Sequence, residues 1–270
     1  MICYKPIRKY FTVNSNCFFN NMPCGIYYEQ KRIESWKLFV VKPARAVYHN
    51  EKASMKRGFF ITFEGTECAG KSTHIKMLED YFRKENIKYV LTREPGGTEV
   101  GEEIRNIVKH HAGENPVSDE AELLLFAASR AQHMREAILP ALSSGTTVIC
   151  DRFTDSTVAY QGYARGLDLK FISTLNKFAT MGRSPDLTII LDLTPEESQE
   201  RIRQRNEKEK IHDRIENEHV SFHIKVRNAF LKLADEEPDR VKIISSARSI
   251  EVVHNDIVKA VRNAVASLPK

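Results

Sequence analysis

GTECAGKST, residues 65–73, is the stretch on which the fold turns. Gly65, Gly70, Lys71 and Ser72 fit the spacing G-x-x-x-x-G-K-[ST], with the strand-like run FFITFE before them and the helix-like run STHIKMLEDYF behind. The two glycines let successive backbone N–H groups turn inward at a helix N-terminus, where the dipole favours an anion. The spacing therefore predicts a phosphate-binding loop, with Lys71 reaching the β- and γ-phosphates of a nucleotide and the Ser72 hydroxyl ligating Mg²⁺. An ordinary glycine-rich turn is the alternative, and four fixed positions carrying both flanks make it the weaker one.

Outward from the loop, strand and helix signals alternate from residue 59 to the C-terminus, which predicts an α/β fold with a parallel sheet between helical layers. KYVLTR is a second strand ended by Pro95, Gly96 and Gly97, and TTVICD is a third, buried on both faces by its composition. DLTIILDL and RVKIIS are the fourth and fifth, and Pro195 suits the first turn of the helix after strand four. Helical patterns occupy VGEEIRNIVKHH, the long DEAELLLFAASRAQHMREAILPAL with Ser118 as its N-cap, DSTVAYQGYA, LKFISTLNKFATM and a segment from about Ile250.

The chain of 270 residues has a net charge of +5, but the charge is unevenly placed. Residues 1–57 carry 11 basic and 3 acidic side chains, the remainder 30 and 33. The body thus gives no electrostatic case for a nucleic-acid partner. No run approaches the roughly 18 apolar residues that a membrane-spanning helix needs, so no membrane partner is expected. Cys3, Cys17, Cys24, Cys68 and Cys150 have neither metal-ligand nor redox spacing, as expected in a reducing compartment. Residues 1–57 read as an N-terminal extension outside the folded domain at 58–270. Three readings of it stay open: Met55 as the initiator, an organelle transit segment, or a genuine appendage.

Other strand ends narrow the chemistry, because open α/β sheets bind ligands at the carboxyl ends of their strands. A GTP switch needs Asn-Lys-x-Asp, and Asn176-Lys177-Phe178-Ala179 lacks the acid. A motor-type ATPase needs more than 213 residues comfortably supply. What remains is a small-molecule kinase, with strand two ending in Arg93-Glu94-Pro95-Gly96-Gly97-Thr98 and strand three in Asp151-Arg152-Phe153. Phe126 and Arg130 stand one helical turn apart and can face one pocket. Taken singly, Phe126 and Tyr160 also suit a core, and Arg93 and Arg130 also suit surface ion pairs.

LTREPGGT, LLFAASRAQH, DRFTDSTVAYQGYARG and DRIE follow one another in order, and with the loop they make residues 59–265 closely resemble the bacterial type of thymidylate kinase. The resemblance implies a three-layer P-loop NTPase fold with strand order 2-3-1-4-5, a cytoplasmic homodimer, and transfer of a phosphoryl group from ATP to dTMP with Mg²⁺. It assigns ATP to Gly65, Thr66, Glu67, Cys68, Ala69, Gly70, Lys71, Ser72 and Thr73, and the metal to Ser72 and Asp151. Arg93 and Arg152 would hold the acceptor phosphate, Phe126 would stack on thymine, Arg130 would donate to O4 and Gln161 would read N3. Tyr160 would lie where a 2′-hydroxyl would sit, and Glu67 and Thr157 would complete the dTMP pocket. Lys71, Arg93, Arg152, Arg205 and Arg214 are the implied catalytic cations, the last two on a lid at about 201–217.

Thymine presents an N3–H donor and an O4 acceptor, whereas cytosine reverses both and would leave buried polar groups unpaired. A phosphate monoester is largely a dianion at neutral pH, so no general base is required. Another nucleoside monophosphate kinase of the same fold is the alternative enzyme, and a nucleotide-binding protein without turnover the alternative class. Two features depart from the family pattern: Cys68 inside the loop, where it can crowd phosphates, and a lid in which Asn206 replaces glycine and EKEKIH lengthens the path to Asp213-Arg214.

Overall fold

The computed structural model describes residues 57–267, apart from 112, 114, 210–213 and 216–217. All of the extension at 1–57 except Arg57, and residues 210–213 and 216–217 of the expected lid, lie outside the described residues.

Five strands form one parallel sheet in the order β2-β3-β1-β4-β5, as expected. They are β1 (Phe60–Gly65), β2 (Tyr89–Arg93), β3 (Thr147–Asp151), β4 (Leu187–Asp192) and β5 (Val241–Ser245). β1 is buried along its whole length, so its side chains must satisfy a core on both faces. Ile61 and Phe63 point to one face, where they pack with α1 (Lys71–Lys84) through Ile75, Leu78 and Phe82, and with the C-terminal α9 (Ile250–Ala266) through Val253, Ile257 and Val261. Phe60 points to the other face, against Met134, Ile138, Leu142 and Phe153. Beside Phe60 on that face, Thr62 shares a 2.8 Å hydrogen bond with Thr188, which donates to Asp155 at 2.8 Å. Arg240 closes this buried polar cluster with a 2.7 Å contact to Asp155.

Helix α2 (Glu99–His110) starts at Thr98, whose side chain accepts from the Gly101 N–H, and α3 (Asp119–His133) starts at Ser118, which accepts from the Ala121 N–H. The sequence pattern suggested one helix from 119 to 142. Instead, a π-helical turn at Met134–Ile138 separates α3 from the short α4 (Leu139–Ser143), which has Pro140 in its first turn. A similar wide turn at Val158–Ala164 continues α5 (Thr154–Thr157) through DSTVAYQGYA. One residue added to a turn shifts every later side chain around the axis, a change that a 3.6-residue period does not report. α6 (Leu169–Ala179), α7 (Pro195–Glu209) and α8 (Val220–Glu236) complete the fold, with Asp168 and Ser249 capping α6 and α9.

Register places the functional strand ends together. Arg93 lies opposite Asp151 in the β2–β3 pairing, Phe63 opposite Asp151 in β1–β3, and Gly65 opposite Leu191 in β1–β4. No helix among the described residues is long and apolar enough to cross a membrane.

Candidate active site

A cavity of about 620 Å³ opens at these strand ends. Glu67, Cys68, Ala69, Gly70, Lys71, Ser72 and Thr73 line it from the loop, and Phe126, Arg130, Thr157, Tyr160 and Gln161 from the helices. Arg93, Asp151 and Arg152 come from the ends of β2 and β3, and Arg205 from α7.

The loop is built by backbone. Gly65 has φ +129, and a Cβ there would stand 2.4 Å from the Leu191 carbonyl oxygen, so no other residue fits where strand becomes loop. Lys71, the first residue of α1, is buried and donates through Nζ to the carbonyls of Gly65 at 3.2 Å and Thr66 at 2.9 Å. Burial and the nearby Arg152 push its ammonium below the usual lysine range. A cation in that setting favours an incoming anion. Cys68 adopts the left-handed conformation at φ 54, and its carbonyl accepts from Arg201 at 3.3 Å. Ser198 donates to the Glu67 carbonyl at 2.7 Å, so the root of α7 is tied directly to the loop.

Arg152 joins the loop to the helices. Its Nη1 donates to the Gly65 carbonyl and to Ser156 Oγ, each at 3.1 Å, its Nη2 pairs with Glu67, and its guanidinium lies 5.1 Å from the centre of the Tyr160 ring. Burial raises the Glu67 carboxyl, but Arg152 and Lys71 outweigh it and hold the group at about 2. Arg152 itself has φ 69, a left-handed conformation costly for a side chain of this size.

Two carboxylates lie at the same strand ends with different environments. Asp151 Oδ1 is buried and has no hydrogen-bond partner, while the Ser72 hydroxyl is exposed at the start of α1. An orphaned carboxylate oxygen and a hydroxyl beside a phosphate loop are a suitable oxygen donor pair for Mg²⁺. Glu64 is enclosed instead. It accepts from the N–H of Phe153 at 2.7 Å and of Ser156 at 3.3 Å, and from Ser156 Oγ at 2.5 Å. Burial, reinforced by Asp155, pushes its carboxyl up to about 7.

At the far end, side chains rather than backbone shape the cavity. Arg130 is the largest fully buried side chain among the described residues; its Nε donates to Glu94 at 2.8 Å, Nη1 to Asn176 at 2.9 Å and Nη2 to the Phe153 carbonyl at 3.1 Å. Glu94 also meets His133 Nδ1 at 3.0 Å, and His133 Nε2 meets Thr92 Oγ1 at 2.6 Å. Gln161 donates through Nε2 to Glu122 at 2.8 Å.

The cavity thus gathers nearly every residue singled out from sequence. Gly65 and Thr66 contribute carbonyls behind it. Arg214 pairs with Glu122 and donates to the Val108 carbonyl at 3.3 Å, and it is not among the residues that line the cavity, although its neighbour Ile215 is. Phe126 is half-buried and faces the cavity rather than filling the core. Sequence reasoning missed Glu64, Glu94 and Glu122, the buried acids on which Phe153, Arg130 and Gln161 rest. Glu94 had a signal in standing beside Arg93 at a strand end. Glu122 had none, being one of three acids in the first turn of α3.

Comparison with known proteins agrees with this geometry. The family model for thymidylate kinase matches residues 63–257. The chain is 44% identical over 200 residues to the thymidylate kinase of Kosmotoga olearia, covering 74% of this chain and 93% of that protein. It is 46% identical over 205 residues to that of Caldanaerobacter subterraneus subsp. tengcongensis, covering 76% and 95%. The crystal structure of thymidylate kinase from Ehrlichia chaffeensis superposes with a TM-score of 0.61 at 34% identity, over 77% of this chain and 99% of that one.

Proposed function

The chain belongs to the thymidylate kinase family, and from that premise we propose how its own residues divide the work of moving a phosphoryl group from ATP to dTMP. The reaction is ATP + dTMP ⇌ ADP + dTDP, a step toward dTTP. The observation that carries the division is Arg152, which touches the loop at Gly65 and Glu67 and the opposite wall at Tyr160.

ATP lies along residues 65–73, its phosphates against the loop amides and Lys71. Ser72 and Asp151 would hold Mg²⁺, which when bound would supply positive charge against the phosphates. Arg93 and Arg152 hold the dTMP phosphate, which already carries the nucleophilic oxygen and needs no base. Two anions that repel one another are thereby aligned, and cations at the strand ends stabilise the charge spread over the transferred group. Arg205 adds a further positive charge from α7, and Arg214, the second lid cation, is paired with Glu122.

The base stacks on Phe126. Arg130 uses three of its five N–H donors on Glu94, Asn176 and Phe153, so two remain, one of which serves O4. Gln161 meets N3–H, Tyr160 closes the space beside the deoxyribose C2′, and Thr157 and Glu67 complete the sugar and phosphate end. Leu124 of α3 and Phe171 and Phe178 of α6 are exposed apolar side chains on helices that pack together, and Phe171 and Phe178 share one face of α6, which supports a homodimer through these helices. Cys68 at the cavity suits the reducing conditions of the cytoplasm.

The test is ADP release by the whole chain with Mg·ATP and dTMP, dUMP, dCMP, dGMP or UMP as separate acceptors. Turnover strongest with dTMP, and lost in Arg130→Ala, is expected. Activity only with another monophosphate overturns the base-reading roles, and silence with every acceptor overturns the assignment of turnover to these residues.

A further inference from the structure

Gln161 can read a base in two ways, because its amide presents a carbonyl on one side and an NH₂ on the other. Which side faces the cavity decides whether the site accepts a hydrogen from N3 or offers one. The choice is made by Glu122, a fully buried carboxyl that takes the Gln161 Nε2 hydrogen bond at 2.8 Å. Arg165 donates to the same carboxyl through Nε at 2.8 Å and Nη2 at 3.2 Å, and Arg214 pairs with its other oxygen. Burial raises Glu122, and the hydrogen bonds from Arg165, Gln161 and Arg214 outweigh it, so the carboxyl lies below its ordinary range.

An ionised carboxylate only accepts, so the NH₂ of Gln161 must be the side turned to it, and the carbonyl oxygen is left for the cavity that Gln161 lines. A flipped amide would set two acceptors against each other inside the protein, with no solvent to relieve them. We propose that Glu122 is a positioning residue that fixes Gln161 as a hydrogen-bond acceptor, so that the site takes pyrimidines bearing N3–H and turns away those whose N3 is a lone pair. The inference rests on the reading of Gln161 as the group that meets N3. It gives two partly buried arginines a task as well: the positive charge of Arg165 and Arg214 keeps Glu122 ionised, and so keeps the amide from turning.

The experiment compares kcat/KM for dTMP and dCMP in four proteins. Glu122→Gln leaves a partner that donates as readily as it accepts, so Gln161 can turn over, and the dTMP/dCMP ratio is expected to fall at least about tenfold. Arg165→Lys keeps the positive charge that holds Glu122 ionised but loses the two-pronged contact, so loss of stability with an unchanged ratio is expected. A ratio that falls as far as in Glu122→Gln shows that any disturbance of this cluster moves selectivity and overturns the positioning role. Gln161→Ala should also lower the ratio. A normal ratio in Glu122→Gln beside a lowered one in Gln161→Ala removes Glu122 from specificity, whereas a normal ratio in Gln161→Ala overturns the underlying reading of Gln161. If Glu122→Gln does not fold, the exchanged pair Glu122→Gln/Gln161→Glu decides. Its carboxylate at 161 still offers an acceptor to N3, so dTMP preference is expected, and its loss overturns the proposal.

Discussion

The two ends of the cavity are built on different physical plans. The phosphate end lies within nine consecutive residues, and its groups are mostly backbone N–H and C=O, ordered by Gly65 and by the start of α1. The base end is drawn from the end of β2, α3, the segment after β3 and α6, and rests on buried polar side chains that satisfy one another, the ion pair of Arg130 with Glu94 and the hydrogen bond of Gln161 to Glu122. A backbone site tolerates changes in neighbouring side chains. A network of buried side chains does not, because removing one member leaves the others desolvated and unpaired. Substitutions at the phosphate end should therefore cost rate, and substitutions at the base end should cost stability and selectivity together.

The largest effect expected from this contrast is at Lys71. Lys71→Met should lower kcat by about 10⁴-fold, in the range of a single transition-state cation in phosphoryl transfer, while leaving the melting temperature unchanged or slightly raised, since the ammonium is already disfavoured by burial and Arg152. Single-turnover kinetics and calorimetry measure both, and a large fall in melting temperature would erase the distinction between the ends. Next is Glu94→Gln, which strands the Arg130 guanidinium in the core and should destabilise the protein by about 3 kcal/mol in urea unfolding. A loss of activity at full stability would show that the base end is less structural than its burial implies.

The smallest effect concerns the two carboxylates around the loop, which pull stability in opposite directions with pH. Glu64 keeps its proton to about 7 in the folded chain and releases it near 4.5 when unfolded, so the folded state binds more protons between those values. Its contribution is full below pH 4.5 and is lost as pH rises to about 7, with a slope of at most about 1.4 kcal/mol per pH unit. Glu67, held at about 2, contributes stability above 4.5 that is lost as pH falls toward 2. Glu64→Gln should flatten the upper window and leave the acid limb intact in melts from pH 3 to 8; an unchanged upper slope would place that titration elsewhere.

The same contrast explains what could be read in the sequence. The loop was legible because its residues are adjacent and its spacing carries the mechanism, and Pro195, Ser118 and the five strands were legible because caps, breakers and apolar runs act locally. Arg93 and Arg152 were visible as charges at strand ends. Phe126 was ambiguous in sequence, since an aromatic in LLLF faces a core or a ligand with equal ease until the neighbouring helices are placed. Glu122 was invisible because burial alone separates it from Asp119 and Glu120, and burial is set by Arg165 and Gln161, some forty residues away. The π-helical turns escaped for a related reason: an added residue preserves composition and moves only the phase. Strand order came from resemblance, not from any periodicity.

The attachment of α7 has a mechanical consequence. Ser198 and Arg201 fasten its first turns to the Glu67 and Cys68 carbonyls, and Arg201 reaches the Ser246 carbonyl at 3.1 Å. Arg205 lies four residues farther on, roughly 6 Å along the helix axis. A lever pivoting at Arg201 through 20° would carry that position only about 2 Å, on the same helical rise. With the fulcrum so close to the load, Arg205 is suited to fine adjustment over the cavity.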